Sequence, residues 1–286
     1  MIVVRTVAEL RAAVSAVRTR GARIGLVPTM GALHEGHLSL IRRASERCAF
    51  VVMSLFVNPA QFNEAVDLAR YPRDEARDAE LAASAGADVL FAPQVSEVYP
   101  AGFSTAVEVA GISEPLEGLV RGPKHFRGVA TVVTKLLNMA QPEEAFFGQK
   151  DAQQVLLIQR VVRDLDLPVR IEVCPTVREA DGLAMSSRNA LLSAEDRRRA
   201  PAISRALFAV QDAVASGERE ATRALAVGVS VLAAAAIETE YFAAVSSHTL
   251  APVTTIDGET LVALAARLGD VRLIDNVLVQ PPEHTT

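Results

Sequence analysis

Short apolar runs alternate with helical patterns through the first 175 residues, and this alternation limits the fold more than any other feature of the chain. The runs have strand length, and the one at 50–57 is continuously apolar, as expected for a strand buried on both faces. They lie at 24–27, 50–57, 88–91, 144–147 and 169–174. The patterns between them predict helices from about His37, over 74–85, over 128–139, and from Asp151 to about 166. Such alternation indicates an α/β fold with a parallel sheet between helices.

The pattern changes after Pro175, which predicts a second domain. Residues 193–236 are rich in alanine and arginine with a helical period, and 193–196 can form a capping box. Alternating β-like runs at 240–245 and 271–279 flank the apolar run 261–268. We therefore predict an α/β domain over 1–175 and a smaller α+β domain over 176–286.

Composition and charge exclude several classes of protein. The chain has 286 residues, a net charge of −5 and a pI near 5.6, which disfavours a nucleic-acid binder because such proteins carry a basic face. Arg5 and Glu9 interrupt the N-terminus too early for a signal peptide, and the uncharged stretch 224–237 is short for a membrane span and fits a buried helix. Cys48 and Cys174 lie in apolar contexts and are expected to be reduced. We expect a soluble, cytoplasmic protein with no membrane or nucleic-acid partner.

Two histidines three residues apart, His34 and His37, follow the first of these apolar runs in the segment PTMGALHEGHLSL, residues 28–40. A structural pair, a zinc site and a phosphate site are all open interpretations. The zinc interpretation is the weakest, because the spacing is not that of a zinc helix and neither cysteine belongs to a C-x-x-C pair. Position favours phosphate: the pair lies at a helix start after a strand, and Gly36 lets the backbone approach a ligand. Imidazoles there could stabilise charge as a phosphoanhydride breaks.

Two further clusters support a nucleotide site. Lys150 stands between a short strand and a helix, where it could reach an α-phosphate, although a solvated loop lysine is the alternative. In the segment DGLAMSSRN, residues 181–189, Ser186, Ser187 and Arg188 could close over phosphates. Serine-rich loops are common, so this segment alone is weak. Together the three clusters outline a nucleotide site with a lid.

The same segments carry a family resemblance. Stretches that resemble the pantothenate synthetase family occur in order over almost the whole chain, at 28–37, 56–62, 71–73, 125–128, 148–154, 181–189 and, more loosely, 272–276. The resemblance implies a Rossmann-like nucleotidyltransferase domain, Mg²⁺ and a homodimer. It also implies a two-step ligation: pantoate and ATP give pantoyl adenylate and pyrophosphate, and β-alanine then displaces AMP. Three departures are Gln149 for a usual glutamate, Asp74 for a usual threonine, and one extra residue within 121–125.

The resemblance also implies roles for individual residues. His34, His37 and Lys150 are the expected catalytic residues, Asn58, Gln61 and Gln154 are expected to bind pantoate, and Asp78 is expected near Mg²⁺. The expected ATP-binding residues are Met30, His34, His37, Gly148, Lys150, Asp151, Met185, Ser186, Ser187 and Arg188.

The chemistry of these side chains fits adenylation. A carboxylate is already ionised at pH 7, so the reaction needs alignment and charge stabilisation rather than a general base. Two rival functions remain at this stage: another adenylyl-transferring enzyme on the same scaffold, and a protein that binds ATP without catalysis.

Overall fold

A computed structural model describes residues 1–282 of the chain. Two compact units divide these residues: one holds 1–149 and 153–175, and the other holds 150–152 and the residues from Thr176 onward. The first unit contains a parallel sheet with helices and the second a smaller antiparallel sheet. The predicted fold class is therefore confirmed.

The first unit is built on a six-stranded parallel sheet within the described range. Its strands are β1 (Ile2–Val4), β2 (Ile24–Thr29), β3 (Phe50–Leu55), β4 (Val89–Phe91), β5 (Glu144–Gly148) and β6 (Arg170–Cys174). They lie in the order β1-β4-β3-β2-β5-β6. From β2 the chain moves outward through β3 and β4, and later fills the other side with β5 and β6. Ligand crevices of open parallel sheets form outside the carboxyl ends of strands at such a reversal.

Helices connect these strands, and most bounds lie within a few residues of the predicted ones. The helices are α1 (Val7–Arg18), α2 (Glu35–Arg47), α3 (Ala65–Arg70), α4 (Glu75–Ala85), α5 (Val95–Val98), α6 (Glu117–Ala140) and α7 (Ala152–Asp164). Helix α6 begins well before the predicted residue 128 and bends at Gly122, where the backbone is not helical. Helix α7 begins directly after Asp151, as predicted.

The sheet is buried because its central strands have apolar side chains on both faces. Ile24, Val27, Val52 and Met53 have essentially no exposed surface. One stripe of α2, formed by Leu40, Ile41 and Ala44, covers β2 and β5. Burial of such side chains contributes about 1.5–3 kcal/mol each, so this packing fixes where α2 begins relative to the end of β2.

The second unit places helices against a three-stranded antiparallel sheet. Its elements are α8 (Ala194–Arg199), α9 (Ala202–Ala215), α10 (Ala221–Ala234), β7 (Thr239–Ser246), β8 (Thr260–Leu268) and β9 (Val271–Val279). The apolar run 261–268 forms β8, the central strand. Ser193 caps α8 by accepting from the Asp196 amide at 3.1 Å.

The expectation of a buried helix over 224–237 was wrong in part. Helix α10 ends at Ala234, and a single stripe of it, including Ala224, Gly228 and Leu232, is buried. Val227 and Val229 are about half exposed. Among the residues that the structure describes, no helix combines the length and the apolarity needed to cross a membrane.

Candidate active site

Three neighbouring strands end at one edge of the parallel sheet, and predicted site residues follow them. Strands β3, β2 and β5 are adjacent and parallel and end at Leu55, Thr29 and Gly148. The segments after β2 and β3 carry Met30, His34, Asn58 and Gln61, and Gly148 is itself the last residue of β5. The fold thus gathers these residues where a nucleotide crevice is expected.

The side chain of Asp78 holds the loop between β2 and α2 through hydrogen bonds to its backbone. This carboxylate, 1% exposed, accepts hydrogen bonds from the backbone amides of Ala32 (2.9 Å) and Leu33 (2.8 Å). Gly31 has φ +90°, and a Cβ there would lie 2.7 Å from Leu55 Cδ1 and 2.8 Å from the Asp78 carboxylate. A side chain at residue 31 would be strained and crowded, so glycine lets the loop approach Asp78 closely enough for both hydrogen bonds.

The two histidines cap the helix that they begin. Helix α2 starts at Glu35, two residues before the predicted position, with His34 as its N-cap. His34 Nδ1 accepts from the Gly36 amide at 3.1 Å, and His37 Nδ1 accepts from the His34 amide at 3.4 Å. The ring centroids are 4.2 Å apart. A ring nitrogen that accepts an N–H bears no proton, so the neutral form of each ring has its proton on Nε2, a hydrogen-bond donor. A helix N-terminus with two such donors suits an anion.

Asn58 organises the turn that carries Gln61. Its Nδ2 donates to Gln61 Oε1 (2.9 Å) and to the Gly128 carbonyl (3.1 Å). Its Oδ1 accepts from the Ala60 amide (3.3 Å) and the Tyr99 hydroxyl (2.8 Å). An amide side chain has two donors and two acceptor lone pairs, so these contacts fill the capacity of Asn58, which is 1% exposed. The structure thus gives Asn58 the task of orienting Gln61.

Gln61 is held from three sides. Its Nε2 lies 3.1 Å from the sulfur of Met30, which links the loops after β2 and β3. His125 Nδ1 lies 2.9 Å from the Gln61 carbonyl oxygen. A Cβ on Gly128 would lie 2.5 Å from the Ala60 carbonyl oxygen, so α6 touches this turn backbone to backbone. The sequence pattern indicates no role for His125 or Tyr99, although His125 begins the family-like stretch 125–128.

Two adjacent glutamines at the start of α7 differ in what they contact. Gln153 is buried, accepts from the Glu117 amide (3.0 Å) and donates to the carbonyls of Ile112 and Pro115 (2.8 Å each). Gln154 is half-buried, and its amide forms no hydrogen bond with the rest of residues 1–282. Gln153 therefore anchors the start of α6, whereas the amide of Gln154 is available to a ligand.

In the second unit, Lys150 is tied to strand β9. Its carbonyl oxygen accepts from Asn276 Nδ2 at 2.9 Å. Its ammonium lies 3.9 Å from Asp151 Oδ1, and the side chain is 18% exposed. Lys150–Ala152 pack with the second unit, whereas Gly148 belongs to the first. Nothing in the sequence pattern joins residues 150 and 276.

The predicted phosphate loop of this unit is a hairpin followed by a short turn. The Met185 amide donates to the Val177 carbonyl at 2.9 Å. Ser186 Oγ accepts from the Arg188 amide at 3.2 Å and begins a 3₁₀ turn, Ser187–Leu191. Ser187 and Arg188 are exposed, whereas Met185 and Ser186 are half-buried.

Comparisons with known proteins assign the family. A family model described as pantoate-beta-alanine ligase matches residues 2–278. The chain belongs to this family. Among curated relatives, a pantothenate synthetase of Cereibacter sphaeroides is 55% identical over 278 residues, which cover 97% of this chain and 99% of the relative. One from Moorella thermoacetica is 53% identical over 98% of this chain and 99% of its own length.

Solved structures of the pantoate-beta-alanine ligase family match the fold. A crystal structure of pantothenate synthetase from Thermus thermophilus has a TM-score of 0.92 and 48% identity, and the match covers 98% of this chain and 100% of that one. The enzyme from Francisella tularensis, described as complexed with beta-gamma ATP and beta-alanine, has a TM-score of 0.79 and 35% identity over 97% of each chain.

Two departures from the usual pattern of the pantoate-beta-alanine ligase family have local explanations. Asp74 caps α4 by accepting from the Arg77 amide at 3.1 Å, a role that threonine also fills. Arg121 forms an ion pair of 2.7 Å with Glu117 one residue before the bend at Gly122, so the extra residue within 121–125 falls at an existing bend. Gln149 lies in a 3₁₀ turn, Gln149–Asp151, and nothing in the structure explains its replacement of glutamate.

The candidate metal ligands and the two cysteine thiols have the following surroundings within residues 1–282. No group of three or more His, Cys, Asp or Glu side chains there could hold a metal ion. Asp78, the predicted neighbour of Mg²⁺, is buried and holds backbone amides with both oxygens. Burial raises the pKa of both cysteine thiols, Cys48 and Cys174, to about 11, which fits packing residues.

Proposed function

We propose that this protein condenses pantoate with β-alanine at the expense of ATP. The pantoate carboxylate attacks the α-phosphorus of ATP and pyrophosphate leaves; the β-alanine amine then attacks the acyl carbon of pantoyl adenylate and AMP leaves. The observation that carries this proposal is the family match over residues 2–278, which includes every segment around the site. The relative complexed with beta-gamma ATP and beta-alanine supports these two substrates.

His34 and His37 act, in this proposal, as neutral hydrogen-bond donors. Their Nδ1 atoms are occupied by backbone amides, so each ring can offer its Nε2–H to a phosphate oxygen. A positioned donor of this kind stabilises the charge that develops as pyrophosphate leaves. The positive end of the α2 dipole adds to the same effect.

Lys150 supplies a positive charge at the α-phosphate, and the hydroxyls and guanidinium of Ser186, Ser187 and Arg188 bind the other phosphates. Further contacts to ATP are proposed for Met30, Gly148, Asp151 and Met185.

Gln61 and Gln154 bind pantoate, whose hydroxyls and carboxylate need both donors and acceptors. Asn58 serves pantoate indirectly: its hydrogen-bonding capacity is used within the protein, and one of its contacts sets the Gln61 amide. It is therefore a positioning residue and not a ligand of the substrate.

Mg²⁺ is proposed to enter with ATP, held by phosphates and water, because Mg²⁺ gives up its water reluctantly. When bound, it would neutralise phosphate charge. Asp78 is buried and each of its oxygens accepts one backbone amide, so we propose that it acts through the loop before α2 and not as a direct ligand. Purified protein should accordingly contain no stoichiometric zinc; zinc that disappears in a His34→Ala/His37→Ala variant would contradict the phosphate assignment. We further propose a homodimer, which analytical ultracentrifugation would test, and a cytoplasmic location, which cell fractionation would test.

The deciding experiment measures AMP release with each acid and amine omitted in turn. Release should require both pantoate and β-alanine. Isotope exchange between pyrophosphate and ATP should require pantoate and proceed without β-alanine. A dinucleotide product would indicate a mononucleotide adenylyltransferase, and ATP binding without pyrophosphate release would indicate a non-catalytic protein. Exchange that depends on β-alanine would contradict the two-step mechanism.

A further inference from the structure

Two successive buried residues of β9, Asp275 and Asn276, each hold a different segment of the second unit. Asn276 donates from Nδ2 to the Lys150 carbonyl at 2.9 Å. Asp275 receives the Arg178 guanidinium at 2.6 and 3.1 Å, and Arg178 also donates to the Gly182 carbonyl at 3.2 Å. Asp275 and Asn276 are 2% and 4% exposed, so both contacts are made away from water.

The pair is fixed on the strand by its own contacts. Asp275 Oδ1 also accepts from the Asn276 amide at 2.8 Å, while the two residues pair with Leu264 and Ala263 of β8. The planar group of Arg178 stacks on Phe208 with a distance of 4.9 Å to the ring centroid. The Asn276 side chain therefore projects from a backbone with little freedom.

The positive charge of Lys150 also acts on Asp275 of this pair. Burial raises the pKa of the Asp275 carboxyl, whereas the Arg178 guanidinium and, to a smaller extent, the positive charge of Lys150 lower it. The backbone of Lys150 is thus held by the neutral side-chain amide of Asn276. The carboxylate of Asp275, on which the Lys150 charge acts, is already paired with Arg178.

We propose that Asn276 is a positioning residue for Lys150, an inference that rests on the phosphate role assigned to Lys150 above. A lysine side chain is a flexible four-carbon stem, so the position of its ammonium depends on how firmly its backbone is held. Because a carbonyl oxygen accepts hydrogen bonds, the side chain at residue 276 must be a donor to pair with the Lys150 carbonyl. The substitution Asn276→Asp keeps the shape of the side chain but replaces its N–H donor with an oxygen, which repels the Lys150 carbonyl oxygen.

The test compares pyrophosphate–ATP exchange in Asn276→Asp with that in the unmodified protein. We expect the turnover number to fall about 10- to 100-fold, because a displacement of about 1 Å of an aligned group can cost that much. The KM for pantoate should stay within about 2-fold, since substrate contacts outside Lys150 are intact. Thr260→Val is the matched control: Thr260 is buried on β8 and donates to the Gly258 carbonyl at 3.1 Å, so its loss should leave exchange unchanged.

A double-mutant cycle distinguishes a role of Asn276 in positioning Lys150 from a general disturbance of the fold. If Asn276 acts through Lys150, Asn276→Asp should change turnover less than about 2-fold in a Lys150→Ala background. Full additivity, or normal turnover in Asn276→Asp alone, would overturn the proposal. Should Asn276→Asp fail to fold by circular dichroism, Asn276→Ala removes the donor without adding charge and takes its place in the same cycle. A Lys150→Ala protein with normal exchange would instead refute the role of Lys150, and with it the basis of this inference.

Discussion

Glu144 and Asp78 are buried carboxylates at opposite ends of the same parallel sheet, and their partners differ. At the amino end, the fully buried Glu144 contacts the guanidinium groups of Arg23, Arg47 (2.8 Å) and Arg170 (2.6 Å). At the carboxyl end, Asp78 accepts from two backbone amides of the loop before α2.

We interpret this difference as a separation of stability from function within one sheet. At the amino end, Glu144 pairs with charged side chains. At the carboxyl end, Asp78 pairs with backbone amides, and Asn58 divides its contacts between backbone and side chains. They fix the course of the loops, while His34 and Gln61 stay half-buried and can meet a ligand. The predictions below test whether this separation holds.

The largest effect is expected for the histidines. His34→Ala or His37→Ala should lower the rate of pyrophosphate–ATP exchange by about 10²–10³, because a positioned donor to a developing charge is lost. Stability should fall by no more than about 1–2 kcal/mol, the cost of losing a helix cap. His248→Ala, which removes an exposed histidine of the second unit, is the control and should exchange normally. Near-normal turnover in either variant, or inactivity with collapsed thermal stability, would contradict the catalytic role.

At the amino end, Glu144→Gln should lower the free energy of unfolding while leaving turnover per folded molecule unchanged. The expected loss is about 3 kcal/mol, the lower end for breaking a buried ion pair, because Arg23 and Arg170 remain half exposed. Urea unfolding and exchange kinetics on the same preparation measure the two quantities. A fully folded variant with slow exchange would show that the two ends of the sheet are not independent.

Asp78→Asn is the corresponding change at the carboxyl end. The amide places an N–H donor against a backbone N–H, so we expect a loss of about 1.5–3 kcal/mol in stability together with a clear fall in turnover, since the loop carries His34. Asp88→Asn is a chemically matched control, because Asp88 Oδ2 accepts from the Val51 amide (2.8 Å) near the amino end of β3. Turnover of Asp78→Asn equal to that of the control would remove the functional distinction between the ends.

The smallest effect is expected for pantoate binding. Gln61→Ala and Gln154→Ala should each raise the KM for pantoate about 2- to 10-fold, the effect of one neutral hydrogen bond, with ATP binding nearly intact. Gln153→Ala should instead lower stability first, because it leaves one amide and two carbonyls without their buried partner. Unchanged pantoate saturation in both Gln61→Ala and Gln154→Ala would show that the pantoate pocket is misplaced.

Much of the fold followed from periodicity, and the exceptions have physical causes. Strands β3 and β9 were predicted because their apolar patterns are long. Strand β1, three residues at an edge of the sheet, has too little pattern to recognise. Helix α1 was not predicted, although Thr6 and Glu9 form a capping box whose T-x-x-E pattern is visible in the sequence. The run 261–268 fits a strand or a buried helix until its neighbours in the sheet are known.

The residues that form the candidate site were predictable from the sequence, but the contacts that orient their side chains were not. Motifs placed the histidines and Gln61 after the strands, where the structure has them. The contacts that orient these residues join distant positions, as between Asn58 and Gly128 or between Asn276 and Lys150. A histidine as N-cap was also unforeseen, because Ser, Thr, Asp and Asn are the residues that sequence rules expect there.

The contact between Gly128 and Ala60 has a consequence for how the chain can diverge. A side chain at residue 128 would meet the Ala60 carbonyl oxygen at 2.5 Å, and that carbonyl is present whatever residue stands at 60. The two positions are therefore unequal: a substitution at 60 leaves the carbonyl oxygen of the contact in place, whereas any side chain at 128 would collide with that oxygen. No second mutation at residue 60 can compensate for a change at 128, so this lineage has no stepwise route away from glycine there unless the whole turn that carries Gln61 moves.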